Sequence, residues 1–137
     1  MWPPTFAARL ESWTALRTIA QDQDLETALA AINTWWSNSP WKAYYLHWDD
    51  HAHWPDPWQL LSDNIYCDVA KALGILYTIS LLDRADMADA TLVLTEDHRN
   101  LVLVNKTKYI LNWNSDSVVN TNQAVKIRRQ FEQHQIK

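Results

Sequence analysis

Apolar positions divide the chain into a helical first part and an extended second part. Phe6, Leu10, Trp13, Leu16, Ile19 and Ala20 recur at helical spacing, which predicts an amphipathic helix over residues 5–21 with Thr5 as its cap. Asp24, a good N-cap residue, opens a second pattern carried by Leu25, Ala28, Leu29, Ile32 and Trp36. This helix should stop before Pro40, because the residue preceding a proline is pushed out of the helical region. Periodicity is then lost through "PWKAYYLHWDDHAHWPDPW". Trp41, Tyr44, Tyr45, Trp48 and Trp54 would be costly to leave in water, so this stretch is expected to be an ordered loop. "DPWQLLSDN" reads as a short helix capped by Asp56, with Pro57 at its first position. A longer helix follows from about Tyr66, burying Val69, Ala70, Leu73, Leu76, Tyr77 and Ile79.

After "DRADMADA" the pattern changes. "ATLVLT", "NLVLV" and "KYILNW" are short, rich in β-branched and aromatic residues, and separated by polar turns. They predict a three-stranded antiparallel meander, and their continuous apolar character implies that both faces are covered. Residues 122–135 are expected to form a closing C-terminal helix. Helices followed by strands make an α+β domain, with the long helix packed on the sheet. A length of 137 residues suits a single domain spanning residues 1–137.

Composition narrows the function classes. One cysteine allows no internal disulfide, which fits a reducing, cytoplasmic compartment. "MWPPTFAARLESW" lacks a basic stretch leading into an unbroken apolar one, so no signal peptide is expected. The longest apolar run, around "ALGILYTISLL", is shorter than the roughly 20 residues that span a bilayer, so a soluble protein without membrane partners is expected. A formal charge of −4 argues against binding nucleic acid through its phosphates. The tail "KIRRQFEQHQIK" is locally basic, but Glu132 and its glutamines dilute it, so it reads as solvated surface. The single glycine, Gly74, leaves few positions suited to positive φ; glycine turns and phosphate-cradling loops are not expected, and no cofactor is implied.

Candidate chemistry centres on Cys67. It lies near a predicted helix start, where unpaired amides and the helix dipole favour an anionic sulfur. Thiol chemistry also needs a histidine to share the proton and a polar group to orient the imidazole. His98 lies at the entry to a strand in "EDHRNLVLV", and Asn112 and Asn114 end the next one. This order, in "PWQLLSDNIYCDVAKALGI" and "HRNLVLVNKTKYILN", resembles that of the transglutaminase-like superfamily, including its bacterial cysteine-protease branch. The resemblance implies Cys67 as nucleophile, His98 as general base and Asn112 as orienting group. It also implies attack on a carboxamide or peptide carbonyl through an acyl-enzyme. Strand register bears on this triad. If Val104 pairs with Tyr109, Asn112 lies opposite Leu101 and points away from the face of His98, whereas Asn114 lies opposite Arg99. A one-residue bulge or a shorter turn would return Asn112 to that face.

Two other constellations compete. "HWDDHAHW" gathers His47, Asp49, Asp50, His51 and His53, all metal-binding types, but from one segment only; incidental histidines in an aromatic loop are the simpler account, and no metal is assigned. Trp41, Trp48, Trp54 and Trp58 could either fill the interior or form a face that binds a protein partner. The "WPDPWQLL" and "YC" neighbourhoods resemble small proteins of tailed bacteriophages. That resemblance implies a non-catalytic structural or assembly role within a larger virion as the alternative to catalysis.

Overall fold

The computed structural model describes residues 2–41, 46, 48–64, 66–106, 108–113, 118–120 and 126–133. Tyr44, Tyr45, His47 and Asn114, singled out above, lie outside the described residues, as do both ends of the expected C-terminal helix. Among the described residues four α-helices precede an antiparallel sheet, α1 Phe6–Ala20, α2 Leu25–Ser37, α3 Pro57–Asp63 and α4 Asp68–Leu82. The strands are β1 Thr91–Thr95, β2 Asn100–Val104, β3 Tyr109–Leu111, β4 Val119–Asn120 and β5 Ile127–Glu132. The class is α+β, as the order of patterns predicts.

The helix starts are set by short polar side chains. Thr5, Asp24 and Asp56 accept the amides of Ala8, Thr27 and Gln59 respectively, satisfying donors that the first turn leaves open. The buried stripe of α1 is rotated from the expected one: Arg9, Trp13 and Ala20 face inward, while Phe6 and Ile19 are exposed. Arg9 can be buried because its guanidinium donates to the main-chain carbonyls of Leu61 and Pro3.

Helix α4 is the centre of the molecule, buried on nearly every side. Trp36 of α2 lies flat against its backbone at Gly74, where an added Cβ would meet three atoms of the indole at 2.6 Å. The only glycine therefore serves close approach, and its φ is not positive. One turn on, Thr78 accepts the indole N–H groups of both Trp13 and Trp36 at 2.9 Å and donates to the Gly74 carbonyl at 2.8 Å. Two large aromatic side chains thus share one buried oxygen.

The meander β1–β2–β3 forms as expected, and Val104 pairs with Tyr109. It is extended at both edges, giving the strand order β4-β3-β2-β1-β5 in a five-stranded sheet. β5 corrects the expected C-terminal helix. Residues Ile127–Glu132 are extended and pair with β1, with Phe131 opposite Leu92. The pairing supplies β1 with the ladder partner an edge strand lacks, and strand alternation turns Phe131 into the core against Trp54. Both sheet faces are buried: Leu92, Val102, Val104 and Leu111 in the main core shared with the helices, and Val93, Leu101, Leu103 and Ile110 in a second cluster.

The expectation that scarce glycine means scarce positive φ is also overturned. Among the described residues Asn64, Asp83, His98, Asn105, Lys106 and Asn112 all adopt it. Four are Asn or Asp, whose short polar side chains tolerate the left-handed region.

Candidate active site

Cys67 is the N-cap residue of α4, and its side chain makes no capping hydrogen bond. It is brought there by the extended Tyr66, whose backbone bridges Trp41 and donates to the Pro40 carbonyl. The Tyr66 hydroxyl is anchored on the Leu60 carbonyl at 2.7 Å. Burial pushes the Tyr66 phenol well above its ordinary value, so it serves as a neutral donor. Cys67 is only 7% exposed and belongs to the main hydrophobic cluster. Leu46 lies over it, its amide donating to Sγ at 3.4 Å and its carbonyl oxygen 4.0 Å away. The next described loop residue, Trp48, donates its indole N–H to Asn100 Oδ1 at 2.7 Å.

Asn112 reaches the same helix start. Its Nδ2 donates to the carbonyls of Asp68 at 3.1 Å and Asn100 at 2.8 Å. Register alone points its side chain away, and the register is the one that does so. The resolution is neither a bulge nor a shorter turn. β3 ends at Leu111, and Asn112 takes φ 66°, so strand alternation no longer governs its direction. A buried asparagine of α2 holds this conformation: Asn33 Oδ1 accepts the Asn112 amide at 2.8 Å. Asn33 sits on the apolar face of α2 beside Ile32 and Trp36. The polar interruption of that face was its only sequence signal.

His98 occupies the β1–β2 turn at φ 66°, its amide bonded to the Thr95 carbonyl at 3.0 Å. The turn is tied further by Thr95 Oγ1, which accepts the Arg99 amide and meets Asp97. Side-chain hydrogen bonding to Thr95 holds the exposed Asp97 carboxyl below its usual range. The His98 ring is exposed, and among the described residues it has no hydrogen-bond partner. Asn112 therefore reaches the first turn of α4, one residue after Cys67, while the His98 turn stands at the same end of the sheet. The strand residue bonded to Asn112 is Asn100, two positions after His98.

The aromatic loop contributes in two ways. Trp54 is buried between Trp48 and Phe131, with centroids 5.3 and 5.2 Å away, so it belongs to the core. Trp41 and Trp58 are 61% and 49% exposed, and Trp41 stands on the segment bridged to Tyr66, immediately before the cysteine. In the histidine-rich stretch, His53 Nδ1 meets Asp50 Oδ1 at 2.5 Å, and Arg129 pairs with Asp49 at 2.7 Å. Among the described residues no three metal-binding side chains converge, and no helix is long and apolar enough to cross a membrane. Protein-family models, curated proteins and solved structures offer no match to this chain.

Proposed function

We propose that the chain is a cysteine acyltransferase or amidohydrolase of transglutaminase-like type, with Cys67 as nucleophile, His98 as base and Asn112 as the group that orients the imidazole. The observation that carries this reading is the meeting of the Cys67 helix start with the Asn112 carboxamide, at the sheet end where the His98 turn emerges. In the reaction, His98 takes the thiol proton as Sγ adds to the carbonyl carbon of a carboxamide or peptide. The tetrahedral adduct collapses with loss of the C–N bond, and the leaving amine takes that proton. Water or a second amine then attacks the thioester, giving its proton to His98 and returning the free thiol. Two movements must precede chemistry: Leu46 has to leave Sγ, and the His98 turn has to fold inward. A lone thiol kept reduced suits the cytoplasm.

The test is acylation by p-nitrophenyl acetate followed by mass spectrometry. A thioester on Cys67 that forms rapidly in the parent protein and at least about tenfold more slowly in His98→Ala supports the reading. No adduct, or equal rates in both proteins, removes His98 from the mechanism and the reading with it.

A second reading is favoured by the exposed indoles and the covered thiol. In it the protein is a non-catalytic assembly component, such as a virion protein, that docks a protein partner through Trp41 and Trp58. It expects an inert Cys67 and a pull-down weakened by alanine at both tryptophans. Undiminished capture by the double variant counts against it.

A further inference from the structure

We propose that Asn33 is a positioning residue of the Cys67 site, acting through Asn112. This rests on the acyl-transfer reading. Asn33 is 1% exposed, and a buried carboxamide is retained at a cost unless it is hydrogen-bonded. Its oxygen takes the main-chain amide of a residue in the left-handed region, at 2.8 Å. That conformation ends β3 and swings the Asn112 carboxamide across to α4. There, among the described residues, both groups bonded to the carboxamide are carbonyls, of Asp68 and Asn100. Only the nitrogen can face two acceptors, so the orientation of the amide is decided by its partners and not by convention.

The consequence lies at the other end of the group. With Nδ2 occupied twice, Asn112 Oδ1 has no partner among the described residues and is held in one direction. An acceptor fixed this way suits an imidazole N–H: it would select the tautomer that leaves the other ring nitrogen free to take the thiol proton. Asn33 thus sets the backbone, two carbonyls set the side-chain rotation, and the remaining oxygen receives the base when the His98 turn closes.

Two measurements on the full chain separate this inference from the reading beneath it. The first is selective 15N labelling of asparagine. Asn33→Ala should speed exchange of the Asn112 main-chain amide at least about tenfold and shift its side-chain resonances, while Asn33→Asp, which keeps the acceptor, should restore both. An unchanged Asn112 in a folded Asn33→Ala protein overturns the inference, whatever the activity. The second is the pH profile of Cys67 alkylation by iodoacetamide. The parent should show an inflection that His98→Ala removes. Asn33→Ala should lose that inflection with an about tenfold lower rate above it, of the order seen when a group orienting another ligand is removed, and Asn33→Asp should retain it. A His98-dependent inflection that survives Asn33→Ala overturns the positioning role alone; absence of any His98 dependence in the parent overturns the acyl-transfer reading. Should Asn33→Ala fail to fold, Asn33→Ser provides the second route. Its hydroxyl is too short to reach the Asn112 amide, so the His98-dependent inflection should be lost, and an inflection that survives in a folded Asn33→Ser protein overturns the inference.

Discussion

The two ends of α4 obey opposite rules. Its middle and C-terminal half are closed: Trp36 fills the space above Gly74, and one threonine hydroxyl satisfies two indoles and one carbonyl. The N-terminal end is open in the chemical sense. The thiol is packed in the core, yet its hydrogen bonds among the described residues go to the Leu46 backbone alone, the Asn112 oxygen has no partner among the described residues, and an exposed imidazole stands on the adjoining turn. A group that is fully paired stabilises the fold but has nothing left to offer a substrate. Groups with unused capacity contribute less to stability and are the ones available for binding or catalysis.

This contrast can be broken most severely at Thr78. Thr78→Val keeps the shape but strands two buried indole donors, and at about 1–3 kcal/mol each the loss should approach about 4 kcal/mol in urea denaturation. A loss below about 1 kcal/mol would mean that water enters to replace the hydroxyl. Gly74→Ala comes next. In an ordinary helix interior this change stabilises by up to about 1 kcal/mol, but here it should destabilise by about 2 kcal/mol, as overpacking does. A gain in stability would show that Trp36 can move aside.

The third effect is confined to alkaline solution. Burial, with Asp56 adding to it, pushes the Tyr77 phenol up to about 12, and its hydroxyl donates to the Pro55 carbonyl. The unfolded chain releases this proton near 10, so the folded state holds the proton more tightly. Its contribution is intact below pH 10 and is lost as pH rises from 10 to 12. Tyr66 acts in the same direction. Tyr77→Phe should therefore make the decline in melting temperature over that interval shallower; a parallel decline in both proteins would exclude Tyr77 as its source. The smallest effect belongs to the open end. Cys67→Ala removes one sulfur from the edge of the core cluster and should cost about 1 kcal/mol while removing all acylation, and a loss of several kcal/mol would show that the thiol is as tightly packed as the Gly74 region.

Much of the fold is legible in the sequence because it is local. Thr5, Asp24, Asp56 and Pro57 mark helix starts through atoms within three or four residues, and the meander follows from apolar runs separated by polar turns. β5 is not local. "IRRQFE" reads as polar and helical until β1 is seen to need a partner, a fact residing some 35 positions earlier. Cys67, His98 and Asn112 stand out because their chemistry is distinctive and their order resembles a known arrangement. Asn33 does not, because an asparagine within an apolar helix face gives no hint of a strand end 79 positions away. Parity correctly points the Asn112 side chain the wrong way for a continuing strand; the strand ends one residue earlier, and a tertiary hydrogen bond decides the rest.

Two of the left-handed asparagines, Asn64 and Asn112, do double duty. Asn64 terminates α3 in that conformation while its Oδ1 accepts the Trp2 indole at 2.6 Å, and Asn112 turns β3 while its amide grips two carbonyls. Glycine would ease either turn but sever the attachment, and alanine would do neither job. Because each of these residues encodes a change of chain direction and a long-range tether in the same few atoms, drift at such sites should be far narrower than their position in loops suggests.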